Sequence, residues 1–491
     1  LSRSVSRALG LVTTLALAVP VAASIPAHAQ EPGRSGPATA ARAVSPISLW
    51  APAKATAYTY RHKAWTDLGL RIIAEGTPFE IRAHRPSYDE GIVATWSSGT
   101  GDVTLPDSSM SDFSGLERFV TLTIDPKKKG EDTQTVTRKA CLNGYSERVR
   151  VDAPATSPYP VGCWYNPYSL GSVQGIQTGW ASPILAQERP LKIGAGNYTV
   201  TATITPHYAT FFGLTPAEAT RTIDLTVTDD TGGEGVDRAT HSTAPRPADH
   251  RPTGPQGRAG DGPVPDLRSL PAWGINMAEN GNFLRFSATV WNAGNSPLVV
   301  DGFRRDGEDE MDAYQYFFDA DGTQTGYQDV GHMHWDPKPS HQHWHFEDFA
   351  RYSLLDKDEV EAVRSKKEAF CLANTDAVDL TVPDAAWRPE NTDLSTSCGD
   401  YSSLSIREVL ASGWGDTYTQ YRAGQSFDLR GLPNGTYYIA VVANPEGNLV
   451  EASTDNNVAL RQIKISGKPD HRKVTVPQVG IIEEEQYGGT G

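Results

Sequence analysis

Ser340-His341-Gln342-His343-Trp344-His345 places three imidazoles at alternate positions, and no other stretch limits the fold of this chain so sharply. Side chains at i, i+2 and i+4 share one face of an extended segment. Of the 12 His in 491 residues, five lie between His332 and His345. That density favours a nitrogen site for a borderline metal such as copper or zinc over a solvated polar strand face. Geometry adds a condition. On a flat strand the outer pair stands roughly 13 Å apart at Cβ, whereas two imidazoles sharing one ion span about 11 Å. The segment must bend or bulge if all three bind one metal.

The first residues bear on location. Arg3 and Arg7 precede an apolar run from Ala8 to Ala23, and Ala27-His28-Ala29 offers a small-x-small cleavage site. Residues 1–29 therefore read as a secretory signal peptide. No later segment reaches the ~18 apolar residues of a spanning helix, so a secreted, extracellular protein free of the membrane after cleavage is expected. Four cysteines agree with an oxidising compartment. Cys141 with Cys163 and Cys371 with Cys398 are the simplest pairs, although the sequence allows three connectivities. No spacing forms a Cys-x-x-Cys motif. The net charge of −15 becomes more negative once Arg3 and Arg7 are removed. Such a chain is a poor binder of nucleic acid or anionic membrane and a suitable partner for lysine-bearing proteins.

Composition divides the mature chain. Residues 30–45 are low in complexity and expected to be disordered. Residues 230–264, with Pro245, Pro247, Pro252, Pro255 and Pro263 among Gly and charge, read as a linker. Between them, residues 46–229 show short Val/Thr/Ile-rich strands at Phe79–Arg82, Phe119–Ile124, Tyr198–Pro206 and Thr222–Thr228, which predict a β-sandwich accessory domain. His62, His84 and His207 are scattered there and form no catalytic constellation. Residues 265–467 are also mostly β, so the chain is read as all-β. Leu284, Phe286, Ala288 and Val290 alternate with Arg285, Ser287 and Thr289 as a half-buried strand. Tyr437–Ala443 is another, entered through Pro433-Asn434-Gly435. A short helix is expected near Glu359–Phe370. Residues 468–491 read as an acidic tail.

The run His341 to Leu355 resembles the copper-binding region of the lysyl oxidase family. Lys367-Glu368-Ala369-Phe370-Cys371-Leu372 is similar to the stretch with that family's modified lysine. Trp414-Gly415-Asp416-Thr417-Tyr418 is similar to the stretch ending in its modified tyrosine. Pro445 to Asn457 resembles its closing strand and loop. The resemblance covers roughly residues 263–467 and excludes the N-terminal domain.

It implies a copper-dependent amine oxidase. His341, His343 and His345 would bind copper, and Lys367 and Tyr418 would cross-link into lysine tyrosylquinone. A primary amine, free or on a protein lysine, would be oxidised by molecular oxygen to an aldehyde with release of ammonia and hydrogen peroxide. That chemistry requires a desolvated Lys367, since only a neutral amine is a nucleophile. Read locally, Lys367 is half of a solvated Lys366-Lys367 pair and Tyr418 one of 19 tyrosines. The resemblance also points to calcium at Asp266, the Leu267 carbonyl, Glu451, Asn456 and Asn457, with Ser453 or Asp455 in place of a second acid. A polar loop closed by an Asn-Asn turn is the alternative.

Three departures stand out. The family's histidine beyond the copper motif falls on Arg351, which cannot accept a proton, so the base is left to Glu347, Asp348 or another group. Ser340 replaces a cysteine, leaving Cys371–Cys398 as the one bridge expected in this domain. Trp344 replaces a tyrosine. His332 and His334 are candidates for a supporting shell, a secondary site or plain surface residues. Two other classes stay open: a three-His metal dioxygenase, which needs neither Lys367 nor Tyr418, and a secreted copper-binding or interaction protein with an inactive oxidase domain.

Overall fold

The computed structural model describes residues 45–185, 189–229, 250–258, 260–338, 342–365, 367, 369–419 and 425–484. The proposed signal peptide, nearly all of residues 30–45 and most of the linker thus lie outside the described residues. All of those described belong to one compact unit. It is almost wholly β, with two helices of six and four residues at Pro206–Phe211 and Pro216–Ala219.

The strands read from alternation are present. Phe79–His84, Leu116–Pro126, Gly196–Ile204 and Thr220–Asp229 contain the four N-terminal segments, and Phe283–Asn292 and Gly435–Ala443 the two C-terminal ones. Pro206 opens a helix where the sequence had suggested continuing strand, because its fixed φ and missing N–H suit a first helical position. The N-terminal strands make three sheets, one of six and two of four strands. Their apolar faces meet in a single core containing Leu49, Ile72, Phe79, Ile81, Phe119, Leu122, Val200 and Leu225. Cys141 and Cys163 are bonded, as are Cys371 and Cys398.

Three further sheets follow. The first runs Leu267–Ser269, Phe283–Asn292, Trp414–Tyr418, Asp376–Ala377. The second runs Ala369–Phe370, His343–Glu347, Gln324–Asp336, Glu310–Phe318, Leu298–Arg304, Ser405–Leu410. The third runs Glu361–Arg364, Ala350–Leu355, Gly435–Ala443, Val458–Lys468, His471–Thr475. Side chains from all three, including Phe286, Phe346, Tyr352, Phe370, Ile439 and Ile463, share one core.

Two expectations are corrected. Among the described residues near Glu359–Phe370 no helix forms. Glu359 sits at φ 60 in a turn that returns the chain as strand Glu361–Arg364 against Ala350–Leu355, and Ala369–Phe370 pairs with His343–Glu347. Cross-strand bonding outweighs the local helical pattern. Phe283–Asn292 is not half-buried either. Ser287 and Thr289 are as buried as their apolar neighbours, and the Thr289 hydroxyl is 2.7 Å from that of Thr417. Strands pair with it on both sides and every residue from Phe286 to Asn292 is buried, so its second half has no solvent side.

The N-terminal sheets are stitched to the C-terminal ones. Leu170 N–H donates to Val378 O at 2.6 Å, Leu380 N–H to Gly171 O at 3.1 Å, and Ser169 Oγ to Ala377 O at 2.8 Å. A Cβ on Gly171 would stand 2.2 Å from an Asp379 carboxylate oxygen, so a larger residue would displace the Asp379 side chain. Within the segment read as a tail, His471–Thr475 is an edge strand, Ile482 is buried, and Glu484 bonds Tyr168 and Arg461, each at 2.6 Å. Arg251, from the end of the linker segment, donates to Phe303 O and Arg304 O.

Candidate active site

The histidine strand, His343–Glu347, starts only after a break in extended backbone: Gln342 has φ 46. The bend demanded by three imidazoles on one ion thus falls at the residue before His343. His341 itself lies outside the described residues. The other two converge, with Nε2 of His343 2.9 Å from Nε2 of His345 and the rings 80° apart. Two nitrogens each about 2.0–2.1 Å from one ion, at right-angled to tetrahedral spacing, stand about 2.9–3.4 Å apart. The two described imidazoles of the three are therefore spaced as two ligands of one borderline metal would be. Trp344 points the other way, fully buried, its indole N–H donating to Asp400 O.

The neighbouring strand backs this pair. His334 lies opposite His345 and Asp336 opposite His343 in the register. His345 is buried, with Nδ1 3.9 Å from the buried Asp336 carboxylate. A carboxylate hydrogen-bonded to a ligating imidazole fixes ring orientation and tautomer, and Asp336 stands a short movement from that position. Sequence reading missed Asp336; its signal was an acid on the same strand face as His332 and His334. The His334 ring is 5.7 Å from that of His345 and its Nδ1 is 2.8 Å from Glu347, whose carboxyl the imidazole holds below its ordinary range. Glu347 thus serves His334. His332 faces Arg305 and Asp312 at the surface, and Arg351 pairs with Glu446.

Lys367 and Tyr418 are brought together. Lys367 precedes the short strand Ala369–Phe370, which pairs with the histidine strand. Tyr418 ends Trp414–Tyr418, which belongs to a different sheet. Lys367 Nζ stands 4.3 Å from the centroid of the Tyr418 ring and 4.9 Å from that of Phe370. It donates to Ala369 O at 3.0 Å and the residue is only 7 % exposed. Lys367 is thus not solvated. The Tyr418 hydroxyl is pinned on Cys371, donating to its carbonyl at 3.1 Å and accepting from its N–H at 2.9 Å. Burial holds the Tyr418 phenol well above its ordinary pKa, and the carboxyls of Asp416 and Glu408 add to this.

Those two carboxyls were not singled out from sequence. Asp416 and Glu408 are both buried, and burial pushes each well above the usual carboxylate range. The signal for Glu408 was an acid in the apolar register of Ile406 and Leu410; for Asp416 it was sharing a strand face with Trp414 and Tyr418.

The residues named for calcium form a clasp between the start and end of the domain. Glu451 accepts from Leu267 N–H at 2.9 Å, Asn444 Nδ2 at 2.7 Å and Asn457 Nδ2 at 2.8 Å. Asp266 accepts from Arg268 Nε at 2.8 Å and Asn456 Nδ2 at 3.1 Å. Ser453 and Asp455 bond each other's loop, and Asp455 is exposed. Only the amide oxygens of Asn456 and Asn457 are buried without a partner. In this arrangement N–H donors and the Arg268 guanidinium hold both carboxylates, and the two amide oxygens are what is left unbonded for a cation that takes six to eight oxygens.

Residues 318–475 match the family model of lysyl oxidase. The C-terminal region carries a lysyl oxidase domain. The match takes in the histidine strand, Lys367, Tyr418 and the Glu451–Asn457 loop, and excludes Asp266 and Leu267. No curated protein matches the chain. Among the described residues no helix is long and apolar enough to cross a membrane.

Proposed function

We propose that the protein is a secreted copper-dependent amine oxidase that converts primary amines, on protein lysines or free, to aldehydes. The observation that carries this reading is the placement of Lys367 Nζ over the Tyr418 ring, two residues from a strand paired with the histidine strand. A dioxygenase using the same imidazoles would have no use for that contact. The apolar run at residues 8–23 and the two disulfides support secretion.

Copper would be held by His341, His343 and His345, and the quinone built from Lys367 and Tyr418 would supply an electrophilic carbonyl and a two-electron sink, with dioxygen as final acceptor. The chain's own residues prepare that chemistry. Asp336 and His334 back the His345 ring. Phe370, packed edge-on against Phe349, lies 4.9 Å from Lys367 Nζ and helps to bury it. Cys371 fixes the phenol oxygen and so holds the axis of the Tyr418 ring beside Nζ.

The test is a visible spectrum of the copper-loaded protein before and after phenylhydrazine. A quinone-hydrazone band is expected, lost in Lys367→Ala and in Tyr418→Phe. Bound copper with no band in the unmodified protein would sink the assignment.

A further inference from the structure

Lys367 is buried, yet an ammonium nitrogen has no lone pair with which to bond carbon. Something within the protein must take its proton. The Ala369 carbonyl that accepts from Nζ is too weak a base to keep one. We propose that Asp416 is the proton acceptor that turns the Lys367 ammonium into the free amine before this nitrogen bonds to the Tyr418 ring. The inference rests on the proposed function and adds a role that the metal and quinone residues do not fill.

Asp416 lies two residues before Tyr418 on the same strand, so both side chains leave the same face. It is 3 % exposed, one carboxyl oxygen is buried without any hydrogen-bond partner, and the Ala373 N–H reaches the carboxyl. Lys367 Nζ sits over the ring of Tyr418, the neighbour of Asp416 on this face, and its charge is felt at the carboxyl. The other groups facing it are Asp376, from the adjoining strand and bonded to Thr375 and Thr417, then Glu408, Tyr352 and Tyr418. Carboxyls and phenols dominate this set, and a carboxylate among them is under pressure to take up a proton.

The transfer balances simply. The N–H bond of Nζ breaks, an O–H bond forms on the unpartnered oxygen of Asp416, and the electron pair stays on nitrogen. An ammonium–carboxylate pair becomes an amine and an acid. In water this direction is opposed by the ~6.5 units between the two ordinary pKa values. Burial works against both charges at once, raising a carboxyl and lowering an amine, and so narrows that gap. The position of Nζ over the ring means that the freed lone pair is already beside its target.

The full chain, produced without copper and then given copper and air, allows cross-linking to be timed by mass spectrometry of the joined Lys367 and Tyr418 peptides. Bound copper is counted in parallel. The wild-type rate is expected to change by less than about twofold between pH 7 and 9, whereas an amine deprotonated by solvent would gain roughly tenfold per unit. Asp416→Asn should slow cross-linking at pH 7 at least about tenfold, with copper content unchanged, and acquire that steep slope. Asp416→Glu should recover most of the rate. A wild-type rate climbing tenfold per unit would overturn the proposal even if Asp416→Asn failed to fold, as would an Asp416→Asn rate within twofold of wild type. Absence of any cross-link in the wild type at every pH would instead sink the oxidase reading on which the proposal stands.

Discussion

Two regions of this molecule bury carboxyls, and they treat them in opposite ways. In the clasp, both oxygens of Glu451 are met by N–H donors, and Asp266 is held by a guanidinium and an amide. Around Tyr418, one oxygen of Asp416 and one of Glu408 have no partner. An unmet buried carboxyl is costly, whereas a fully bonded one contributes to stability. The clasp thus closes the domain, and the tyrosine region keeps groups ready for proton chemistry. Perturbed carboxyls concentrate where chemistry happens; here the contrast lies within one domain, so fold and compartment cannot account for it.

The sharpest way to break the contrast is to loosen the tyrosine region from its frame. Cys371 both closes the bridge to Cys398, 27 residues away, and pins the Tyr418 hydroxyl by its backbone. Replacing both cysteines by serine should cost about 3.5 kcal/mol, the loop-closure value for a bridge of this length. Denaturant unfolding would measure it. The hydrazone band should weaken in the same variant. A stability loss with a full band would show that Cys371 holds the domain but not the tyrosine.

The clasp can be tested from the other side. Glu451→Gln places an amide N–H₂ against at least one of three N–H donors and should cost about 2 kcal/mol, with the hydrazone band retained. Because the donors are the protein's own, a calcium chelator should leave the melting temperature unchanged. A fall of several degrees on chelation would place a cation there and show that Arg268 yields Asp266 to it.

Much of this was legible in the sequence, for identifiable reasons. The strands at Phe79, Phe119, Thr222, Leu284 and Tyr437 were readable because alternation is a local signal. The histidine run announced both its strand and its bend, since chemistry and strand geometry conflict unless a residue such as Gln342 breaks the extension. Lys367 and Tyr418 were reachable only through their family resemblance: 51 positions apart and in different sheets, neither carries a local sign of the other. The sequence misled at Glu359–Phe370, where tertiary pairing overrode a helical pattern, and at Ser287 and Thr289, whose polarity concealed burial on both faces. Asp416 and Glu408 went unnoticed because an acid at an apolar register reads as a lapse in the pattern until its surroundings are known.

Glu408 offers the finest probe of the contrast. Its folded pKa is raised, so the folded state keeps a proton that the unfolded state releases near the ordinary glutamate value of about 4.3. Stability from this group therefore falls as pH rises above about 4.3 and continues to fall until the folded pKa is passed. Glutamine keeps an oxygen for the Leu372 N–H and carries no titrating proton, so Glu408→Gln should flatten this part of the profile with the hydrazone band retained. Melting temperatures measured from pH 5 to 8 would show the variant gaining on the wild type by a few degrees, and gaining more as pH rises. The clasp makes the control: Glu451 is held by N–H donors, so Glu451→Gln should show no such gain. If the two variants trace parallel curves, the missing partner on Glu408 has no energetic consequence, and the distinction between a bonded clasp and a poised tyrosine region fails at its weakest member first.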